Sequence, residues 1–190
     1  DAAGYPPRPI RGFYSPAELA LLVQRRTTRL PLTDVPVSTA IAGRHYQQRA
    51  IRAVDAAFSK RARRALLVMA TGSGKTRTAI AMVDHLMKAG WVTRVLFLAD
   101  RQALVRQAAG AFKTHLPDVT TVNLLTDKAA DGRVYVCTYQ TMMGLINGRT
   151  DAPMSDNSVG QRFGPGYFDL IFIDEAHRSV YQKYGEIFGW

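Results

Sequence analysis

The sequence is poor in cysteine, in acidic residues and in long apolar runs. A single cysteine, Cys137, in 190 residues excludes an internal disulfide. Its place in the run Val134-Tyr135-Val136-Cys137 makes a buried, reduced thiol the expectation. The histidines, His45, His85, His115 and His177, stand at no metal-ligand spacing, and one thiol cannot complete a set, which argues against zinc. No apolar run approaches the roughly 18 residues of a membrane span, and nothing reads as a signal peptide, so no membrane partner and an intracellular setting are expected. Asp and Glu number 15 against 25 Lys and Arg, a formal net charge of +10. That excess favours a polyanionic partner: nucleic acid, an acidic membrane or an acidic protein. An initiator Met is also missing. The chain opens on the linker-like Asp1-Ala2-Ala3-Gly4-Tyr5-Pro6-Pro7-Arg8-Pro9 and stops at Phe188-Gly189-Trp190, where another helix should be starting. It is expected to be a piece of a longer protein.

What the chain does have is organised around Ala70-Thr71-Gly72-Ser73-Gly74-Lys75-Thr76. The apolar run Ala65–Met69 before it reads as a strand, and Thr78 to Met87 after it carries apolar residues at helical spacing. Strand, glycine-rich turn and helix in that order make a phosphate-binding loop. Gly72 and Gly74 let the backbone curl so that successive N–H groups face one point, beside the positive end of a helix. Thr71, Gly72, Ser73, Gly74, Lys75 and Thr76 are the candidate nucleotide contacts, with Lys75 reaching the outer phosphates and the Thr76 hydroxyl available to Mg²⁺. The full pattern wants glycine at position 69, where this chain has Met69.

A phosphate loop alone does not separate a kinase from a motor. The run Phe168-Asp169-Leu170-Ile171-Phe172-Ile173 reads as a buried strand ending in Asp174-Glu175-Ala176-His177. A carboxylate at a strand's carboxyl end can hold the Mg²⁺ water shell, the role expected of Asp174. Glu175 would orient and help deprotonate the water that attacks the γ-phosphate. His177 is expected to link the ATP site to neighbouring segments by hydrogen bonding. Gln47, opening a helix with Tyr46, Ile51, Val54 and Phe58 at apolar positions, has the donor and acceptor needed for the N6/N7 edge of adenine.

The length suits one α/β domain. Ser15-Pro16-Ala17-Glu18 is a capping box that starts a short helix ending near Arg25-Arg26, and Arg29 to Val37 reads as an extended connection. Further strands are expected at Thr93–Ala99, Thr120–Leu125 and Arg133–Thr138, with helices after the first and third and a long loop over 147–166. Alternating strands and helices imply a parallel sheet with helices on both faces. Residues 1–42 are read as a linker and short helix from a preceding domain, and 43–190 as the main domain.

In order, Arg44-His45-Tyr46-Gln47, Ala70 to Thr76, Leu98-Ala99-Asp100-Arg101, Thr138-Tyr139-Gln140-Thr141-Met142 and Asp174-Glu175-Ala176-His177-Arg178-Ser179 resemble the motifs of superfamily 2 helicases and translocases. The wording is closest to the motor subunit of type I restriction endonucleases. The resemblance covers about residues 43 to 184. It implies a RecA-like fold, incomplete after the DEAH strand, in an ATP- and Mg²⁺-dependent double-stranded DNA translocase of the bacterial or archaeal cytoplasm. The implied partners are methylation and specificity subunits and a second RecA-like lobe of the same chain, with a nuclease domain upstream. By the same resemblance Gln47 reads adenine, Lys75, Asp174 and Glu175 run hydrolysis, and Arg101, Thr138, Tyr139 and Gln140 contact the DNA backbone. Because the chain lacks the lobe that would carry an arginine finger, this piece alone is expected to bind ATP weakly and hydrolyse little. Two other readings stay open: a repair or RNA helicase of the same superfamily, and a non-hydrolysing, nucleotide-gated DNA-binding module. A nucleoside or shikimate-type kinase would leave Asp174-Glu175 and the positive charge unexplained.

Overall fold

A computed structural model of the chain describes residues 15–146, 163, 166–176 and 187. Helices α1 (Pro16–Thr28), α2 (His45–Ser59) and α3 (Lys75–Lys88) precede strand β1 (Val95–Ala99). They are followed by α4 (Gln102–His115), β2 (Thr121–Asn123), β3 (Val134–Thr138), α5 (Tyr139–Ile146) and β4 (Leu170–Ile173). The four strands form one parallel sheet in the order β2-β3-β1-β4.

Alternation along the central strands divides the interior into two layers. Val95, Phe97 and Ala99 of β1, with Val134 and Val136 of β3, pack with α2, α3 and α4. Leu96, Leu98, Tyr135 and Cys137 face the opposite side, against α5, Phe163 and Phe168. Both strands are buried along their whole length, as a parallel sheet covered on both faces requires. Cys137 lies inside, as its apolar neighbours imply, and burial pushes its thiol far up. This is the α/β, RecA-like arrangement expected: a parallel sheet flanked by helices.

Two features differ from expectation. The run 65–69 forms no strand. Leu66 and Val68 are 76% and 90% exposed, while Leu67 rests on the core from one side. An extended run becomes a strand only by pairing with a neighbour, and among the described residues β4 is paired with β1 alone. The stretch Arg29 to Val37 is more than a connection, since Leu32, Val35 and Val37 are buried. Arg52 of α2 secures it, donating to the carbonyls of Leu32 (3.0 Å) and Val35 (3.2 Å). The same guanidinium lies 3.3 Å from Asp55, whose Oδ2 is 3.1 Å from Nε2 of the fully buried His85 in α3. Burial raises the Asp55 carboxyl above the usual aspartate range, against the pull of His85 and Arg52. The α1 helix starts where the capping box places it and runs to Thr28, with Leu19, Leu21 and Val23 exposed. The residues of the expected 147–166 loop, apart from 163 and 166, lie outside the described residues. His177, Arg178 and Ser179 do too.

Candidate functional site

The site is assembled at the carboxyl edge of the sheet. The register pairs Leu98 with Cys137 and with Ile173, and Ala99 with Thr138, so β1, β3 and β4 end together. The residues that follow, Asp100-Arg101, Tyr139-Gln140 and Asp174-Glu175, therefore share one edge, where open α/β sheets bind ligands.

The loop over 70–76 has the geometry its glycines predict. Gly72 and Gly74 take φ of 77° and 87°, a region that side chains disfavour. Gly74 is constrained twice, because a Cβ there would lie 2.5 Å from Nε2 of Gln47. The turn is closed by Ser73, whose N–H (3.2 Å) and hydroxyl (2.6 Å) both donate to the Ala70 carbonyl. Lys75 and Thr76 open α3, so the loop leads directly into the helix's positive end. Across from it, Lys75 Nζ lies 3.2 Å from Glu175 Oε1, with both side chains partly exposed. The phosphate loop and the acidic pair thus meet at one place.

Asp174 is half-buried, and its N–H donates to the Leu98 carbonyl (2.9 Å), extending the β1–β4 ladder. Burial first, and the Glu175 charge second, raise its carboxyl above the ordinary aspartate range, while Lys75 opposes them. Glu175 has φ of 58°, a left-handed conformation costly for a residue with a Cβ. Among the described residues no group of three or more His, Cys, Asp or Glu could hold a metal ion. A hydroxyl and one or two carboxylates match Mg²⁺, which keeps several waters and phosphate oxygens in its shell.

Gln47 is buried and engaged. Its Nε2 donates to the Ser73 carbonyl (3.1 Å), and its Oε1 accepts from the Arg44 N–H (3.3 Å), the reach-back of a capping box from the third helical position. In this structure it fastens α2 to the phosphate loop, a bond that the reading of Gln47 as an adenine contact did not anticipate. Tyr46, read from the sequence only as an apolar helix position, also donates to the Ser73 carbonyl (2.9 Å). No sequence pattern marked that bond. A cavity of about 350 Å³ opens beside the loop, between Tyr46, Arg49, Ala50 and Ala53 of α2 and the segment Val68, Met69, Ala70 and Ser73.

Residues 40–189 match the ResIII family, described as "Type III restriction enzyme, res subunit". The chain belongs to this family. Two curated relatives are the type I restriction enzyme EcoKI endonuclease subunit of Escherichia coli K12 and the EcoAI endonuclease subunit of Escherichia coli. The first is 38% identical over 154 residues, 77% of this chain and 12% of that protein. The second is 36% identical over 138 residues, 72% of this chain and 16% of that protein. The ResIII chain thus spans well under a quarter of the length of either relative. No solved structure matches it.

The candidate DNA contacts of this ResIII domain separate into two kinds. Arg101, at the N-cap of α4, is 81% exposed, and Gln140 is exposed on α5. Thr138 and Tyr139 are buried. The Thr138 hydroxyl caps α5, accepting from the Thr141 N–H (3.2 Å) and sharing a hydrogen bond with its hydroxyl (2.9 Å). The Tyr139 hydroxyl donates to the main-chain carbonyl of Asp174 at 2.7 Å. Polar residues directly after a buried strand are as well suited to internal bonds as to a ligand, and sequence alone does not separate the two uses.

Proposed function

We propose that this domain is the ATP-binding half of an ATP-dependent double-stranded DNA translocase, within the restriction subunit of a type I restriction-modification system. The observation that carries the reading is the 3.2 Å contact between Lys75 and Glu175, which joins the phosphate loop to the acidic strand end. ATP would lie with its phosphates on the amides of Thr71 to Thr76 and its adenine against Gln47. That requires the Gln47 amide to exchange its bond to Ser73 for the base edge. Lys75 leaves Glu175 for the outer phosphates, and Glu175, released from that contact, accepts the proton of the attacking water. Thr76 and Asp174 would hold Mg²⁺, which when bound neutralises charge developing on the phosphates.

Arg101 and Gln140 lie on the same edge and would grip a phosphate backbone without reading its sequence. The net charge of +10 supports such a partner. The likeness to type I endonuclease subunits favours restriction over repair or RNA unwinding, and the partners proposed with it are methylation and specificity subunits and a second RecA-like lobe. The test is displacement of a third strand from linear duplex DNA by the intact protein. Displacement should require ATP and disappear in Lys75→Ala. Displacement that proceeds without ATP, or in Lys75→Ala, defeats the reading.

A further inference from the structure

Tyr139 opens α5 at the carboxyl end of β3, yet its side chain is 1% exposed and packs in the layer that holds Leu96, Leu98 and Met142. Its ring cannot swing freely, because it is packed on all sides in that layer. From that fixed position its hydroxyl reaches across the sheet edge to the Asp174 carbonyl at 2.7 Å. The next residue, Glu175, is one of two described non-glycine residues with positive φ, at 58°. A left-handed glutamate persists only where its surroundings enforce it, and such outliers collect at functional sites. The outcome of this turn is that the Glu175 carboxylate lies against Lys75.

We infer that Tyr139 is a positioning residue for the acidic pair: its hydroxyl holds the Asp174 carbonyl so that Glu175 stays in the left-handed turn facing the phosphate loop. The inference builds on the assignment of Asp174 and Glu175 to the ATP site, and adds a residue outside that pair which sets its geometry. It also gives the sheet edge a mechanical link. Gln140, exposed and next in sequence, belongs to the same capped helix as Tyr139, so a ligand gripping the start of α5 acts on the Asp174 carbonyl through one rigid side chain.

Tyr139→Phe removes the hydroxyl and keeps the ring in its packing. Two measurements on the 190-residue chain decide the matter. The first is the intraresidue HN–Hα distance of Glu175 from NOE build-up, which is shorter at positive than at negative φ. In Tyr139→Phe it should lengthen toward the right-handed value. The second is Mn²⁺ affinity with a non-hydrolysable ATP analogue present, which should fall by about tenfold or more, as for loss of an outer-shell partner. A purely structural tyrosine would lower the thermal midpoint and leave both readings as in wild type, and that result overturns the inference. Asp174→Asn separates this from the site assignment. If it leaves Mn²⁺ affinity intact, the metal role of Asp174 falls, and the Glu175 HN–Hα distance alone still decides for or against Tyr139.

Discussion

Strands β3 and β4 flank the same central strand and pair with it in parallel, residue for residue. Both are apolar, Val134-Tyr135-Val136-Cys137 on one side and Leu170-Ile171-Phe172-Ile173 on the other. Yet every residue of β3 is buried and every residue of β4 is only half-buried. The difference lies in the neighbours. β3 sits between two strands and under two helical layers, whereas among the described residues β4 is paired on one side, and it leads to the partly exposed Lys75–Glu175 contact. Burial follows from what covers a segment, not from its composition. The covered half is the scaffold, and the half around β4 and residues 65–76 holds the proposed ATP site.

The largest effect should come from the covered half. Phe97 on β1 is buried between Phe112 and Phe172, with ring centroids 5.7 and 6.3 Å away. Phe97→Ala should cost about 3–5 kcal/mol in urea unfolding, a large share of the roughly 5–15 kcal/mol of a whole domain. Val68→Ala, at an equally apolar but exposed position, should stay within about 0.5 kcal/mol. Similar costs at the two positions would break the comparison. Next, Thr138→Ala should cost about 1 kcal/mol by uncapping α5. A neutral result would remove that hydroxyl from the scaffold.

The smallest expected effect has the opposite sign and belongs to the open half. Burial raises the Asp174 carboxyl, so it favours folding only while protonated. That contribution is complete below the unfolded-state value and is lost as pH rises through the folded-state value. At pH 7 the ionised Asp174 therefore opposes folding. Asp174→Asn should raise the thermal midpoint slightly there, limited by solvent screening of a half-buried group, with the gain vanishing on acidification. A lower midpoint at pH 7 would show the charge to be fully compensated.

Legibility in the sequence follows the same division. β1, β3, α4 and α5 were readable because their apolar runs and turn residues agree with the environment they enter. The left-handed turns at Gly72 and Gly74 and the meeting of Lys75 with Glu175 were readable because the glycine-rich loop and the acidic strand end each have a local pattern. Ala65–Met69 misled because an apolar run reports a preference for pairing and says nothing of whether a partner strand is present. For Thr138, Tyr139 and Gln47 the sequence placed each at the start of its helix and left its internal bonds unread. Their hydrogen bonds to Thr141, Asp174 and Ser73 depend on which segments the topology brings together, and that lies beyond local pattern.

The account stands or falls on Lys75 being shared between a triphosphate and Glu175. Equilibrium binding of a fluorescent ATP analogue with Mg²⁺, compared across wild type, Lys75→Ala and Glu175→Gln, reads this directly. Lys75→Ala should weaken binding by about tenfold or more, the scale of one charged hydrogen bond. Glu175→Gln, by releasing the competing partner, should leave binding equal or tighter. Unchanged affinity in Lys75→Ala, or equal losses in the two variants, would contradict it.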